Sequence, residues 1–217
     1  MSTSPSLADP REIIARRAAR EIRDGQLVNL GIGLPTLIPG YVPEHIQVWI
    51  HSENGIVGVG PQAGAHNLDA ELIDAGGGYV TVVPGGAIVD SATSFGIIRR
   101  GLLDITFLGA LQVSQYGDLA NWLVPGKIVA GIGGGAELAQ KARQVIVTMP
   151  HCDKDGRAKI VERCELPLTA RRCVTRIITE HAVFDIDDEG LLLREILGDL
   201  SLAQLQAITA PFRDARH

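Results

Sequence analysis

The 217-residue sequence predicts an α/β domain with a mostly parallel mixed sheet in three layers, and three observations carry that prediction. Short apolar runs stop in glycine or proline, helix signals fall between them, and the chain is rich in Gly, Ala, Val, Ile and Leu. The run "LLDITFLGALQVS" is continuously apolar, as in a strand covered on both faces. Residues 1–217 have no linker long enough to divide them and no internal repeat, so they read as one domain. Residues 1–8 read as a flexible tail.

In chain order, Asp9 caps a helix with Pro10 at its first position and Gly25 after its end. Residues 26–30 form a buried strand. Gly31, Gly33 and Pro35 follow as a strand-to-helix turn whose backbone N–H groups could face an anion. Residues 47–51 make the next strand, and residues 79–83 another that stops at Pro84-Gly85-Gly86. "SATSFGIIRRG" is a short helix, and "LLDITFLGALQVS" one further strand. Gly131, Gly133, Gly134 and Gly135 open a helix over 136–142, followed by a strand at 144–149. A glycine cluster at that place offers N–H donors to an oxyanion or phosphate, or simply a flexible turn with close helix packing. Strands at 174–178, 182–186 and 191–196 follow, "DDEG" joining the last two as a hairpin, and Ser201 caps a closing helix through residue 208.

Bulk composition excludes several classes of function. A net charge of −5 and 4% aromatic residues disfavour a nonspecific nucleic-acid or acidic-membrane binder. No apolar run approaches the roughly 20 residues that span a bilayer. The N-terminus lacks a secretory pattern, and Cys152, Cys164 and Cys173 read as reduced thiols, so the expected compartment is the cytoplasm. No metal is assigned: His66, His151 and Cys152 have no convincing partners in the sequence.

The stretch that organises the chain is "QVWIHSENGIVGVGP", residues 47–61. A carboxylate at the exit of a buried strand is badly placed for solubility and well placed for chemistry, because ligands of open α/β sheets sit at the carboxyl ends of the strands. Glu53 is therefore the candidate nucleophile, with Ser52, Asn54 and Gly55 as its supporting turn. His51 shares a strand face with it and reads as a hydrogen-bonded packing residue. Trp122 reads as core or interface, and Asp118 has no assigned role.

Six segments, "VNLGIGLPT", "SENGIVGVGP", "DSATSFGIIRRG", "LGALQVSQYGDLANWLVPGK", "GIGGGAELAQKARQVIVTM" and "CELPLT", together resemble the B (beta) subunit of 3-oxoacid CoA-transferases. That family includes the succinyl-CoA:acetoacetate and 3-oxoadipate enzymes. The resemblance covers most of residues 28–169. It implies a layered CoA-transferase fold and a covalent glutamyl-CoA thioester, carried onto Glu53. It also implies a glycine N–H near the thioester oxygen, carried onto Gly133, Gly134 and Gly135 with Gly134 preferred. Gly31 and Gly33, in the first strand-to-helix turn, are further candidate oxyanion or CoA-binding positions, or simply an ordinary tight turn. Coenzyme A is then substrate and transient adduct, with no tightly bound cofactor, and the other substrates are acyl-CoA and small carboxylic or 3-oxo acids. The expected partner is an A (alpha) subunit, in a heterotetramer or larger assembly.

The chemistry fits a glutamate. A carboxylate attacking a thioester forms a mixed anhydride, and the released thiolate then attacks the glutamyl carbonyl, storing CoA on the enzyme. Serine or cysteine would store the acyl group instead. Two other functions use parts of the same pattern: a thioester hydrolase on the same fold, and a non-catalytic anion or sugar-phosphate sensor that would not need Glu53. A glycosidase would need a second opposed carboxylate.

Overall fold

Local chemistry sets the helix starts. In the computed structural model, which describes residues 9–126 and 131–216, the Asp9 carboxylate accepts the Arg11 N–H at 3.0 Å and Pro10 opens α1 (Pro10–Ala19). Asp90 caps α2 (Ser91–Arg99) by accepting the Thr93 N–H at 2.7 Å. Gly134 precedes α3 (Gly135–Lys141). Ser201 and Gln204 form a reciprocal capping box at α4 (Leu202–Ala207). The tail at residues 1–8 lies outside the described residues.

Thirteen strands among the described residues divide between two sheets. The centre of the larger sheet is parallel: β10 (Arg176–Ile178), β8 (Gln144–Thr148), β5 (Ile105–Leu108), β1 (Leu27–Leu30) and β2 (Trp49–Ser52), in that spatial order. Antiparallel wings flank it. On one side β2 turns back into β3 (Ile56–Gln62) and β4 (Val80–Ile88). On the other lie β11 (Ala182–Asp187), β12 (Gly190–Ile196) and, parallel to β12, β13 (Phe212–Asp214). The expected hairpin between β11 and β12 is present, with Asp187 paired to Gly190.

Two expectations are corrected. The run "LLDITFLGALQVS" is two strands: β5 in the large sheet, then β6 (Gln112–Ser114) in a second sheet with β7 (Leu119–Ala120) and β9 (Ile160–Val161). A run buried on all sides carries no signal for where the chain changes sheet. Likewise β4 passes through Pro84-Gly85-Gly86, because Pro84 sits on an edge strand where a missing N–H breaks no ladder.

The strand periodicity sorts the core into two layers. Val28, Ile105, Phe107, Ile146 and Ile178 face α1 and the 3-10 helix Leu34–Tyr41. Val145, Val147 and Ile177 face α2, α3 and the small sheet, through Ile98, Leu138, Val113 and Ile160. Fully burying each such aliphatic or aromatic side chain stabilises the fold by about 1.5–3 kcal/mol. The parallel strands all end at one rim, so the loops after β1 and β2 lie side by side there.

Candidate active site

Glu53 occupies that rim, immediately after β2 and half-buried, in a tight turn closed by the Gly55 N–H on the Ser52 carbonyl at 3.0 Å. Gly55 has φ +130, and a β-carbon there would lie 2.2 Å from the Val89 carbonyl oxygen. Only glycine fits. The loop before β4 braces the turn from outside. Ser52 Oγ accepts the Ala75 N–H at 2.8 Å, and the exposed Asn54 donates its amide to the Ile73 carbonyl at 2.7 Å.

The Glu53 carboxylate itself accepts from a residue the sequence reading missed. Asn29 Nδ2 donates to Glu53 Oε2 and to the His51 carbonyl, each at 3.1 Å, while Asn29 Oδ1 accepts the Thr106 hydroxyl at 3.3 Å. Asn29 is paired with His51 on one side and Thr106 on the other, so the three form a polar row across β2, β1 and β5. All three are at most 1% exposed. A buried amide is costly unless its donors and acceptor are matched, and Asn29 matches them through partners fixed by the sheet. The available signal was a polar residue inside each of three otherwise apolar runs. No ion pair among the described residues includes Glu53.

His51 is a packing histidine, as expected. Its Nε2 lies 2.9 Å from Ser94 Oγ of α2, and burial pushes its pKa down to about 4. His151, expected to lack partners, has two: Nδ1 lies 3.0 Å from Thr179 Oγ1 and Nε2 2.9 Å from Thr209 Oγ1. Those threonines are 28 and 58 residues away in sequence, which is why the pairing was illegible. Asp118 is structural: it accepts the N–H of Arg172, the non-glycine residue at φ +45. Burial pushes the Cys164 and Cys173 thiols up to about 11 and 12, away from thiolate chemistry.

The glycine turn before α3 faces the carboxylate. A β-carbon on Gly134 would lie 3.2 Å from Glu53 Cγ and 3.2 Å from Phe95 Cζ. The close approach to Glu53 therefore belongs to Gly134. Gly133 turns the chain at φ +52 with open space beside it. The Gly135 N–H is not free, since it bonds to the Ile132 carbonyl at 3.1 Å. Gly31 corrects its expectation in the same way: its N–H bonds to the Phe107 carbonyl at 2.7 Å, and its missing side chain admits that backbone at 3.0 Å. Gly33, at φ +91, precedes the 3-10 helix at the same rim. Two clefts, of about 220 and 410 Å³, lie elsewhere, the first lined by Gln144, Thr175 and Arg176 at the opposite rim and the second along α1. Neither touches Glu53.

The rim thus sets a carboxylate after a parallel strand, opposite a close glycine turn. The coenzyme A transferase family model matches residues 11–196, and the chain belongs to that family. It is 50% identical over 199 residues to the probable coenzyme A transferase subunit beta of Bacillus subtilis, covering 92% of each chain. It is also 50% identical over 204 residues to human mitochondrial succinyl-CoA:3-ketoacid coenzyme A transferase 2, covering 93% of this chain but 39% of that one. The crystal structure of the acyl-CoA transferase YdiF apoenzyme from Escherichia coli O157:H7 superposes with TM-score 0.74 at 23% identity, over 99% of this chain and 43% of the other. That likeness speaks to the fold. No helix among the described residues is long and apolar enough to cross a membrane.

Proposed function

We propose that the chain is the B subunit of a transferase that moves coenzyme A from an acyl-CoA such as succinyl-CoA to a 3-oxoacid, through a thioester on Glu53. The observation that carries the reading is the juxtaposition of Glu53 with Gly134, two residues far apart in sequence and opposed across the parallel-strand rim. Glu53 Oε attacks the thioester carbonyl and expels CoA thiolate, leaving an acyl-glutamyl anhydride. The thiolate then attacks the glutamyl carbonyl and releases the first acid as its carboxylate. The second acid's carboxylate attacks the enzyme thioester, and the same two steps reverse to give its CoA ester.

Each tetrahedral intermediate carries an oxyanion, and the Gly134 N–H is the donor we assign to it. Losing one such donor typically costs about 10²–10³ in rate. Asn29 orients the attacking carboxylate without neutralising it, because an amide contributes a hydrogen bond and no charge.

The reading includes an A subunit. The human relative carries the matching region as 39% of a longer chain, whereas the Bacillus relative is a separate subunit. Apolar surface flanks the Glu53 turn here: Ile32 is 74% exposed and approaches Gly76 of the bracing loop, and Ile88 is 70% exposed beside Val89, whose N–H bonds to the Gly55 carbonyl. Such surface suits a permanent partner.

The test is exchange against release. With its A subunit, the chain is expected to form acetoacetyl-CoA from succinyl-CoA only when acetoacetate is added, and Glu53→Ala is expected to abolish it. Release of free CoA at the same rate without acceptor acid would make it a hydrolase instead. Full transfer by Glu53→Ala would sink the mechanism.

A further inference from the structure

We propose that His51 and Ser94 form a positioning pair that sets how deeply the Gly134 turn sits over Glu53. The inference rests on the transferase reading above and adds to it two buried residues that act through the placement of Gly134.

The two catalytic partners come from different layers: Glu53 from the sheet, Gly134 from the helical layer. Between them stands α2. Its sheet-facing residue Ser94 is fully buried and meets Nε2 of His51 at 2.9 Å, and His51 lies on β2 two residues before Glu53. Its next residue, Phe95, turns toward α3, and its Cζ is 3.2 Å from the point a Gly134 β-carbon would occupy. One turn further, Arg99 lies over the Phe95 ring at 5.6 Å and pairs with Glu137 of α3 at 2.9 Å. A displacement of α2 from β2 is therefore passed through Phe95 to the turn that must face the oxyanion.

The second observation is an unmatched atom. His51 is 1% exposed, and its Nδ1 is buried with no hydrogen-bond partner among the described residues. An unsatisfied buried polar group costs about 1–3 kcal/mol. A leucine would fill the space without that cost, so what the imidazole contributes here is the Nε2 contact to Ser94. Burial holds the ring neutral at ordinary pH, with its Nε2 engaged by the Ser94 hydroxyl.

The test uses the assembled enzyme with Ser94→Ala, His51→Leu and His51→Gln, measuring kcat, KM for the acyl-CoA, and the thermal midpoint. Misplacing a reacting group by about 1 Å costs on the order of 10²-fold, so Ser94→Ala and His51→Leu are expected to lose about 10- to 100-fold in kcat. KM is expected to stay within about threefold, because the contact acts on the transition state. A glutamine amide can reach Ser94 as Nε2 does, and His51→Gln is expected to recover to within about threefold of the parent. The double variant His51→Leu/Ser94→Ala is expected to be no slower than either single one. Parent kcat in Ser94→Ala would overturn the proposal, even if His51→Leu failed to fold. So would His51→Gln as slow as His51→Leu, which would assign the imidazole a role of its own. Retention of transfer by Glu53→Ala would strike the underlying mechanism instead, independently of these three variants.

Discussion

Carboxylates near the two rims of the large sheet are treated in opposite ways. Near the N-terminal end of β10, Glu21 and Asp185 are held by guanidiniums: Arg17 reaches Glu21 at 2.7 Å, Arg176 bridges Glu21 and Asp185, and Arg194 reaches Asp185 at 2.6 Å. Burial alone would raise the Asp185 pKa, and the two arginines more than offset it, leaving it below the usual carboxylate range. At the opposite rim, among the described residues, Glu53 accepts one neutral amide and no cation. A structural carboxylate gives its lone pairs to charged partners, which makes it a poor nucleophile. On the proposed mechanism Glu53 is aimed by a group that does not neutralise it.

That contrast can be broken by exchanging losses. Asn29→Ala removes the amide that aims Glu53 and is expected to cost about 10- to 100-fold in kcat, together with about 1–3 kcal/mol of stability, because the buried Thr106 hydroxyl loses its acceptor. Arg176→Ala is expected to cost about 2 kcal/mol in urea unfolding but to leave kcat intact. If Arg176→Ala lowered kcat as much as Asn29→Ala, the two ends of the sheet would not be functionally separate. A smaller effect is expected at the glycine turn. Gly134→Ala places a methyl 3.2 Å from Glu53 Cγ, tight enough to shift the carboxylate, and about a tenfold loss of kcat is expected from that misplacement. The same substitution at Gly135, where the nearest atom is Thr169 Cγ2 at 3.8 Å, is expected to cost less.

Stability sharpens the comparison through pH. His51 and His151 each titrate near 4 in the fold against an ordinary value of 6.5, both through burial, with His181 adding to the effect at His151. Between those values the unfolded chain binds protons that the native chain refuses, so stability rises with pH across that window and is flat above it for these groups. Going from pH 7 to 5 is expected to cost about 2 kcal/mol per histidine in urea unfolding. His51→Gln is expected to remove its share of that slope.

Much of the fold was legible because its signals are local. The caps at Asp9 and Ser201, the β11–β12 hairpin and the apolar central strands all follow from neighbouring residues. What failed needed contacts across the chain. The passage from β5 to the second sheet leaves no mark in a uniformly buried run, and β4 continues through Pro84-Gly85-Gly86 only because it is an edge. The site divides in the same way. Glu53 stands out as a carboxylate at a strand exit, and Gly55 as a turn. Asn29, Ser94 and Phe95 acquire meaning only when β1, β2 and α2 are brought together, and the spent N–H groups of Gly31 and Gly135 are visible only in the backbone bonding.

The central claim is that Glu53 carries coenzyme A. The direct measurement is peptide mass spectrometry of the assembled enzyme after incubation with acyl-CoA alone and borohydride or hydroxylamine treatment. The account predicts that the modified residue is Glu53, in the peptide containing "SENG", and that acceptor acid added before trapping removes the modification. A label on any other residue, or an unmodified Glu53 after active enzyme has been incubated with acyl-CoA alone, would contradict it.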